Sequence, residues 1–303
     1  MTLLLISAPA RAEVWDRAFA AAGEAIVIGE DAVHDPGAIR HLACWAPPDD
    51  LRRYPNLRSV ISVGAGVDHM PPLPPGVALV RTLAPGIEGM VRDWAVMAAL
   101  MLHREMPRYL AQASAGSWTP HPVHLARNRR VGVMGTGRIG ALVAQSLAGL
   151  GFHVAGWSRS GRAVAGIDTY GEANLAGFLG RSDLLICLLP LTADTRGILG
   201  PALFGQLPRG AMLVHAGRGG HLDMEALRAA LDDGRLSAAM LDVTQPEPLP
   251  PDHWAWSDPR VVVTPHVAAM TDAEEGARHA LAVVRADRNN DPLPGLVNPD
   301  RGY

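Results

Sequence analysis

The stretch Val131-Gly132-Val133-Met134-Gly135-Thr136-Gly137-Arg138-Ile139-Gly140 decides the fold of this chain. Its apolar start predicts a buried strand, and the apolar spacing that continues to Leu150 predicts a helix. The pattern Gly-x-Gly-x-x-Gly between strand and helix is typical of the turn that binds the pyrophosphate of a dinucleotide. The first two glycines permit a tight turn and close approach to phosphate, and the third lets strand and helix pack closely. The sequence therefore predicts a dinucleotide site formed by Gly135, Thr136, Gly137, Arg138, Ile139 and Gly140.

The end of the next predicted strand, His153–Trp157, indicates which dinucleotide this site prefers. An NAD site usually has Asp or Glu there to hold the ribose hydroxyls. This chain instead continues with Ser158, Arg159 and Ser160. The serines can donate hydrogen bonds, and a planar guanidinium pairs well with a 2′-phosphate. NADPH is therefore favoured over NADH, and a solvated turn with a chance arginine is the alternative.

Apolar runs alternate with helical patterns along the whole chain, which indicates parallel βαβ units. A length of 303 residues exceeds the usual size of one hydrophobic core and predicts two domains. In the first third we predict strands at residues 3–7, 25–29, 42–45, 58–63 and 77–81. A second series of six strands is predicted at residues 130–134, 153–157, 184–188, 211–215, 238–243 and 261–264. Between the two series, one long helix from about residue 88 to 112 and an exposed loop over residues 114–130 are expected.

Composition excludes several classes of function. A formal net charge of -3 and the lack of a basic run argue against nucleic-acid or membrane-surface binding. No apolar stretch is long enough for a spanning helix, and no charged leader precedes the first apolar run, so a cytoplasmic protein is expected. Cys44 and Cys187 lie in apolar segments and are interpreted as unreactive core thiols. The sequence contains no lysine, which excludes Schiff-base catalysis and a P-loop lysine. We predict no metal site.

Three residues that follow predicted strands form the candidate catalytic set. Arg218, Glu247 and His266 each come just after a strand of the second series, where the ligand crevice of such sheets lies. An arginine can bind a carboxylate and polarise a neighbouring carbonyl, and a histidine can give a proton to the carbonyl oxygen as hydride reaches the carbon. A carboxylate beside that histidine orients the ring and favours its charged form. Singly, each residue could equally be a surface charge or a hydrogen-bonded strand-end residue; together they predict reduction of a small 2-keto acid.

The order of these motifs resembles the D-isomer-specific 2-hydroxyacid dehydrogenases, and the resemblance covers nearly the whole chain. The nearest subgroup is that of the glyoxylate/hydroxypyruvate reductases A. The motifs, in chain order, are the glycine pattern, Cys187-Leu188-Leu189-Pro190-Leu191-Thr192, Gly217-Arg218-Gly219, Asp242 with Glu247-Pro248-Leu249, and Thr264-Pro265-His266. The subgroup match rests on Trp157-Ser158-Arg159, on Trp45, and on the C-terminal Asp300-Arg301-Gly302-Tyr303.

The resemblance implies roles for further residues. Arg218, Glu247 and His266 would carry catalysis, and Asp242 would lie near the nicotinamide. The cofactor channel would also be lined by Leu189, Pro190, Thr195, His215, Ala216 and Gly217. The loop Ser62–Asp68 would bind the substrate carboxylate, because the backbone N–H groups of Val63, Gly64, Ala65 and Gly66 could surround an anion, and Trp45 would lie nearby.

The resemblance also implies the domain arrangement and the partners. It predicts two Rossmann-like or flavodoxin-like parallel-sheet domains, with an NADP-binding domain of residues 96–271 inserted into a substrate domain of residues 1–95 and 272–303. It implies a homodimer and the substrates glyoxylate or hydroxypyruvate. The chain departs from the family pattern at two places. His215 stands where members often carry Asn, which leaves the cofactor contacts undecided. Asp93-Trp94 stands where a Glu followed by an aromatic or His residue is usual, which leaves the packing of the helix between the domains undecided.

Two other functions compete with this interpretation. The β-hydroxyacid dehydrogenases reduce related compounds, but they carry the glycine pattern near the N-terminus and use a catalytic lysine, which this chain lacks. A redox-sensing regulator could keep the fold and the cofactor and show little turnover. The intact set of arginine, glutamate and histidine argues against the sensor, since a sensor needs no proton donor.

Overall fold

The computed structural model describes residues 2–298, which form two compact units. One unit comprises residues 2–87 and 270–298, and the other comprises Glu88–Ala269. The C-terminal tetrapeptide of the subgroup match lies outside the described residues. The assignment of substrate to the first unit and of nucleotide to the second stays a prediction.

The first unit contains a five-stranded parallel sheet whose strand order is β2-β1-β3-β4-β5. This is the flavodoxin-like order, in which the order of the strands reverses between β1 and β3 while all strands run parallel. Its strands are β1 (Thr2–Ile6), β2 (Ala25–Ile28), β3 (Ile39–Cys44), β4 (Ser59–Ser62) and β5 (Ala78–Arg81). The helices α1 (Pro9–Ala22) and α8 (Ala273–Asn289) pack against each other, and α2 (Pro85–His103) begins in this unit.

Burial explains why the apolar runs of this unit form central strands. Leu3, Leu4 and Leu5 are fully buried in β1, as expected for a strand covered on both faces. On one face, Trp15 and Phe19 of α1 are also fully buried and stack with their ring centroids 6.1 Å apart. Each predicted strand of this unit is present, with ends that differ by up to three residues.

The second unit contains a seven-stranded parallel sheet of the order β12-β11-β10-β9-β6-β7-β8. Counted from β6, this is the classical dinucleotide-binding order with one further strand beyond β11. Its strands are β6 (Arg130–Met134), β7 (His153–Trp157), β8 (Asp168–Tyr170), β9 (Leu184–Cys187), β10 (Ala211–His215), β11 (Leu236–Leu241) and β12 (Val261–Val263). Its helices, besides most of α2, are α3 (Met106–Ser114), α4 (Arg138–Gly149), α5 (Leu175–Gly180), α6 (Pro201–Phe204) and α7 (Met224–Asp232).

The predicted fold class, two parallel-sheet α/β domains, is confirmed, while two predicted elements were wrong. The second sheet has seven strands rather than six, because the short polar strand β8 has no apolar run that could predict it. The long helix is interrupted: α2 ends at His103, Glu105 adopts a left-handed conformation with φ 54°, and α3 starts at Met106. Pro107 lies in the first turn of α3, where its missing N–H leaves no helical bond unmade.

Two local predictions are confirmed. Asp223 caps α7, since its carboxylate accepts hydrogen bonds from the N–H groups of Glu225 and Ala226 at 3.0 Å each. Cys44 and Cys187 are buried and free, and burial raises the pKa of each thiol to about 12, which keeps both unreactive. Within residues 2–298, no helix has the combined length and apolar character required to cross a membrane.

Candidate active site

The glycine loop joins β6 to α4 at the point where the sheet order reverses. β6 lies between β9 and β7, so the sheet continues to β7 and β8 on one side of this loop and to β9 on the other. The N-cap of α4 is Gly137, and no side chain caps the helix. The N–H groups of the first helical turn therefore remain available to an anion, in a position favoured by the helix dipole.

The three glycines of this loop differ in the room that the structure leaves for a side chain. Gly135 has φ 98°, which favours glycine, and a Cβ there would lie 2.7 Å from the carbonyl oxygen of Leu188. A Cβ at Gly140 would lie only 1.8 Å from the carbonyl oxygen of Gly135, so the helix can lie against the turn only without a side chain. A Cβ at Gly137 would meet nothing within 4 Å, so its backbone faces open space in which a phosphate could approach.

The turn after β7 combines an arginine with an unsatisfied hydroxyl. The side-chain oxygen of Ser158 is buried and has no hydrogen-bond partner within residues 2–298. Arg159 extends to the surface, where its Nη1 lies 3.2 Å from Oδ2 of Asp194. Ser160 and Arg162 are exposed in the same turn. A hydroxyl without a partner and an arginine at the end of this strand fit the 2′-phosphate of NADP better than a free ribose hydroxyl.

Asp194 was not identified from the sequence. It lies 35 residues from Arg159 along the chain, in the segment after β9, and only the fold brings the two together. The same segment is held by Thr195, whose hydroxyl donates to the carbonyl of Pro190 at 2.7 Å. Leu189 is buried, and Pro190 and Ala216 retain surface.

Arg218 follows β10 in an extended conformation, with φ -145° and ψ 145°. A Cβ on Gly217 would lie 2.9 Å from a ring nitrogen of His221, and one on Gly219 would lie 1.8 Å from the carbonyl oxygen of Thr244. The Gly-Arg-Gly sequence is therefore required by two close contacts, one on each side of the arginine. The guanidinium is half-buried, and its Nη1 donates to the carbonyl of Gly217 at 2.8 Å.

The structure places His215 behind Arg218. Its ring is fully buried, and its Nε2 lies 2.9 Å from the carbonyl oxygen of Arg218. The predicted role of His215 in the cofactor channel stays a prediction. Burial and, to a smaller extent, the nearby His221 together lower the pKa of His215 to about 3, so the ring is neutral at physiological pH.

Glu247 and His266 form the direct contact predicted from the sequence. Nδ1 of His266 lies 2.9 Å from Oε2 of Glu247, and both side chains are 38% exposed. The other carboxylate oxygen of Glu247 accepts from the N–H of Thr244 at 2.9 Å. Since Thr244 also lies against Gly219, backbone contacts join the loop of Arg218 to the carboxylate that holds His266.

Asp242 holds the turn that carries His266. Its carboxylate accepts from the hydroxyl of Thr264 at 2.6 Å and from the N–H groups of Val267 and Ala268 at 2.9 Å each. His266 has φ 52°, an uncommon conformation for a residue with a side chain, and its N–H donates to the carbonyl of Asp242. The strained backbone is thus held by several hydrogen bonds, and the predicted position of Asp242 near a nicotinamide stays a prediction.

The loop after β4 offers fewer N–H groups than predicted. The N–H of Val63 donates to the carbonyl of Cys44, and that of Gly64 donates to the hydroxyl of Ser62 at 3.2 Å. Only the N–H groups of Ala65 and Gly66 lack a partner within residues 2–298. An anion could therefore be bound by two of the four predicted groups.

Trp45 lies against this loop. A Cβ on Gly64 would be 2.9 Å from the indole, so the glycine permits the contact. The indole also stacks on His69, with ring centroids 3.9 Å apart and an interplanar angle of 12°. Nε2 of His69 lies 2.8 Å from the carbonyl oxygen of Trp45. The residue pair was not predicted from the sequence, because 24 residues separate its members.

Comparison with known proteins agrees with these observations. The family model described as the NAD binding domain of D-isomer specific 2-hydroxyacid dehydrogenases matches residues 96–268. The glyoxylate/hydroxypyruvate reductase A of Salmonella heidelberg (strain SL476) is 36% identical over 280 residues, which are 89% of this chain and 90% of that protein.

Two solved structures match over almost their full length. A D-isomer specific 2-hydroxyacid dehydrogenase from Xanthobacter autotrophicus Py2, in complex with NADPH and MES, is 35% identical with a TM-score of 0.92, covering 100% of this chain and 99% of that chain. An NADPH-dependent glyoxylate/hydroxypyruvate reductase from Sinorhizobium meliloti, in complex with NADP and sulfate, is 36% identical with a TM-score of 0.91, covering 100% of both chains. The matches agree with the glycine loop and the seven-stranded sheet, and they show that the chain belongs to the D-isomer specific 2-hydroxyacid dehydrogenase family.

Proposed function

We propose that this enzyme reduces small 2-keto acids to D-2-hydroxy acids with NADPH. The observation that carries the proposal is the contact between His266 and Glu247 at 2.9 Å, joined through Thr244 to the loop of Arg218. A proton donor, a carboxylate that orients it and an arginine are the groups that reduction of a keto acid requires. The relatives named glyoxylate/hydroxypyruvate reductase support this class of substrate.

The contact with Glu247 supports separate roles for the two ring nitrogens of His266. The N–H at Nδ1 donates a hydrogen bond to the carboxylate, which orients the ring and leaves the N–H at Nε2 to donate to the keto oxygen of the substrate. As the carbonyl carbon is reduced, the proton on Nε2 moves to the oxygen, and solvent replaces it afterwards. Arg218 binds the substrate carboxylate and stabilises the developing negative charge on the oxygen.

The cofactor is NADPH, and bound NADPH supplies the hydride. The first turn of α4 and the glycines before it bind the pyrophosphate. Ser158 and Arg159 bind the 2′-phosphate, which makes NADH the weaker cofactor. The crystallised relatives with NADPH and NADP support this assignment.

The substrate is small, with glyoxylate and hydroxypyruvate favoured. The free N–H groups of Ala65 and Gly66 bind an oxygen of the substrate carboxylate, and the indole of Trp45 limits the space beside Gly64. Replacement of Gly64 by Ala would displace the indole, and we expect a higher KM for the keto acid.

The enzyme forms a homodimer. The segment after α3 exposes Trp118 at 99%, Val123 at 67% and Leu125 at 50% of their surfaces, which is unusual for such large apolar side chains. A second copy of the chain covers this segment. Sedimentation velocity should give the dimer mass for the wild type and the monomer mass for Trp118→Arg; a monomeric wild type would contradict this assignment.

A panel of 2-keto acids tested with NADPH and with NADH examines the whole proposal. We expect turnover of the smallest acids with NADPH, seen as loss of NADPH absorbance. Binding of NADPH without turnover on any small keto acid would favour the redox-sensing regulator instead. Dominant use of NADH would refute the role of Arg159.

A further inference from the structure

Two buried histidines hold the backbone of Arg218 from both sides. Nδ1 of His221 lies 3.0 Å from the backbone nitrogen of Arg218, and Nε2 of His215 lies 2.9 Å from its carbonyl oxygen. Both rings are fully buried, and they meet edge to face with centroids 5.6 Å apart. The two polar backbone atoms of one residue are thus each bound by an imidazole that solvent does not reach.

The hydrogen bonds of His221 assign its tautomer. Its Nε2 lies 3.2 Å from the carbonyl oxygen of Pro190, which can only accept a hydrogen bond. Nδ1 lies 3.0 Å from both the backbone nitrogen and the carbonyl oxygen of Arg218. The tautomer with the proton on Nε2 serves two partners, because Nε2 donates to the carbonyl of Pro190 while Nδ1 accepts the N–H of Arg218. The opposite tautomer could donate only to the carbonyl oxygen of Arg218, and it would place a lone pair against the carbonyl oxygen of Pro190.

This arrangement also decides against a metal ion at the same place. One potential ligand atom from each of Cys187, His215 and His221 lies within 4.8 Å of the others. Both ring nitrogens of His221 are, however, used by backbone partners, and a metal ion would have to break one of these hydrogen bonds. Burial raises the pKa of the Cys187 thiol to about 12, so a metal ion would also have to displace its proton.

The ring of His221 also explains the glycine before the arginine. A Cβ on Gly217 would lie 2.9 Å from Nδ1 of His221 and 3.1 Å from the carbonyl of Leu189. The ring thus fills the space between the loop of Arg218 and the segment of Leu189 and Pro190 that follows β9. A shift of the ring would move Arg218 relative to that segment.

We propose that His221 and His215 are positioning residues, which fix the extended backbone of Arg218 so that its guanidinium meets the substrate in one orientation. The inference rests on the proposed function, because it assumes that Arg218 binds substrate. A displacement of about 1 Å at such a group can cost about 100-fold in rate. We therefore expect His221→Ala to lower kcat/KM for the keto acid by about 100-fold.

A double-mutant cycle separates positioning from a general structural role. If His221 acts through Arg218, the double variant Arg218→Ala with His221→Ala should be no worse than Arg218→Ala alone, within about threefold. Losses that multiply would overturn the inference. If Arg218→Ala itself kept full activity, the proposed function would fail and the inference with it, whereas a crippled Arg218→Ala beside an active His221→Ala would refute the inference only.

Two conservative variants guard against a loss of folding. Asn at position 221 keeps an acceptor near the place of Nδ1, whereas Gln keeps an amide near the place of Nε2. We expect His221→Asn to retain activity within about tenfold of wild type and His221→Gln to fall with His221→Ala. Equal activities of the Asn and Gln variants, with both folded by circular dichroism, would overturn the assignment of Nδ1 to Arg218.

His103 offers a matched control. It is another buried histidine of the same unit, with its ring edge-on to Phe152 at 4.9 Å. His103→Ala should lower Tm by removing packing and leave kcat/KM unchanged. A loss of kcat/KM in this variant as large as in His221→Ala would show that any buried histidine has this effect, and would overturn the inference.

Discussion

Replacement of Arg159 by Ala should weaken NADPH binding and leave NADH binding almost unchanged. A 2′-phosphate carries about 1.5 to 2 negative charges, and a unit pair at about 4 Å in water is worth about 1 kcal/mol. The guanidinium is 66% exposed and already pairs with Asp194, which is 75% exposed. Such an exposed ion pair is worth about 0.5 kcal/mol, and NADPH must displace it. With charge-assisted hydrogen bonds to the phosphate included, the net contribution is about 2 kcal/mol, or about 30-fold in Kd.

The assay is a fluorescence titration of the wild type and of Arg159→Ala with each reduced cofactor. We expect Kd for NADPH to rise about 30-fold and Kd for NADH to change by less than about threefold, with a smaller difference at high salt because the site is exposed. Arg209→Ala, at the opposite end of the sheet, is the control and should bind both cofactors as the wild type does. If Arg159→Ala raised Kd equally for NADPH and NADH, binding of the 2′-phosphate by Arg159 would be refuted.

The same structure gives an opposite prediction for the partner of this arginine. Asp194→Asn removes the competing carboxylate, so Kd for NADPH should fall about twofold to threefold. The titration described above measures it. A rise of Kd would show that Asp194 holds Arg159 in its binding orientation instead of competing with the phosphate.

Three further predictions concern the glycine loop, the proton donor and acid stability. Gly140→Ala places a Cβ 1.8 Å from the carbonyl oxygen of Gly135, so this variant should bind NADPH about 100-fold more weakly and have a lower Tm. Gly137→Ala, whose Cβ meets nothing within 4 Å, should keep the Tm of the wild type. Cofactor titration and calorimetry test both variants, and an unchanged Tm in Gly140→Ala would contradict the close packing of helix and turn. Glu247→Gln should lower kcat by about 100-fold with the fold intact, and stopped-flow NADPH oxidation within twofold of wild type would contradict the role of the carboxylate beside His266. Burial lowers the pKa of His41 from 6.5 to about 4 despite the opposing charge of Asp287. The unfolded state therefore binds the proton first, and about 3 kcal/mol of the free energy of unfolding should be lost as pH falls from 6.5 to 4. Urea unfolding across this pH range tests the loss, and equal acid sensitivity of His41→Asn would show that His41 is not its cause.

The parts of the fold that could be predicted from sequence depend on local patterns. The strand before Gly135 and the helix after Gly140 follow from apolar spacing, and Asp223 follows from its place before an apolar helix. Residues that end parallel strands meet at one edge, which is why Glu247 and His266 were placed together correctly. Each of these inferences needs only neighbouring residues or the order of strands.

The features that could not be predicted depend on contacts between distant segments. His215 was assigned to the cofactor channel by the family resemblance, and only the fold shows that its ring is buried behind Arg218. The contact of Arg159 with Asp194 needs two loops that strand spacing does not bring together. His221 did have a signal, since it follows Arg218 by three residues, the spacing of one tight turn, but only the structure shows which ring nitrogen faces the backbone.

Hydride transfer from NADPH to a keto acid can be followed directly with a deuterium label. NADPH deuterated at C4 of the reduced nicotinamide is incubated with hydroxypyruvate and the wild type, or with His266→Ala as a folded comparison. We expect D-glycerate with deuterium at C2 from the wild type, and a rate at least 100-fold lower from His266→Ala. Transfer at the wild-type rate by His266→Ala, or bound NADPH that transfers no deuterium to any small keto acid in the wild type, would contradict this expectation.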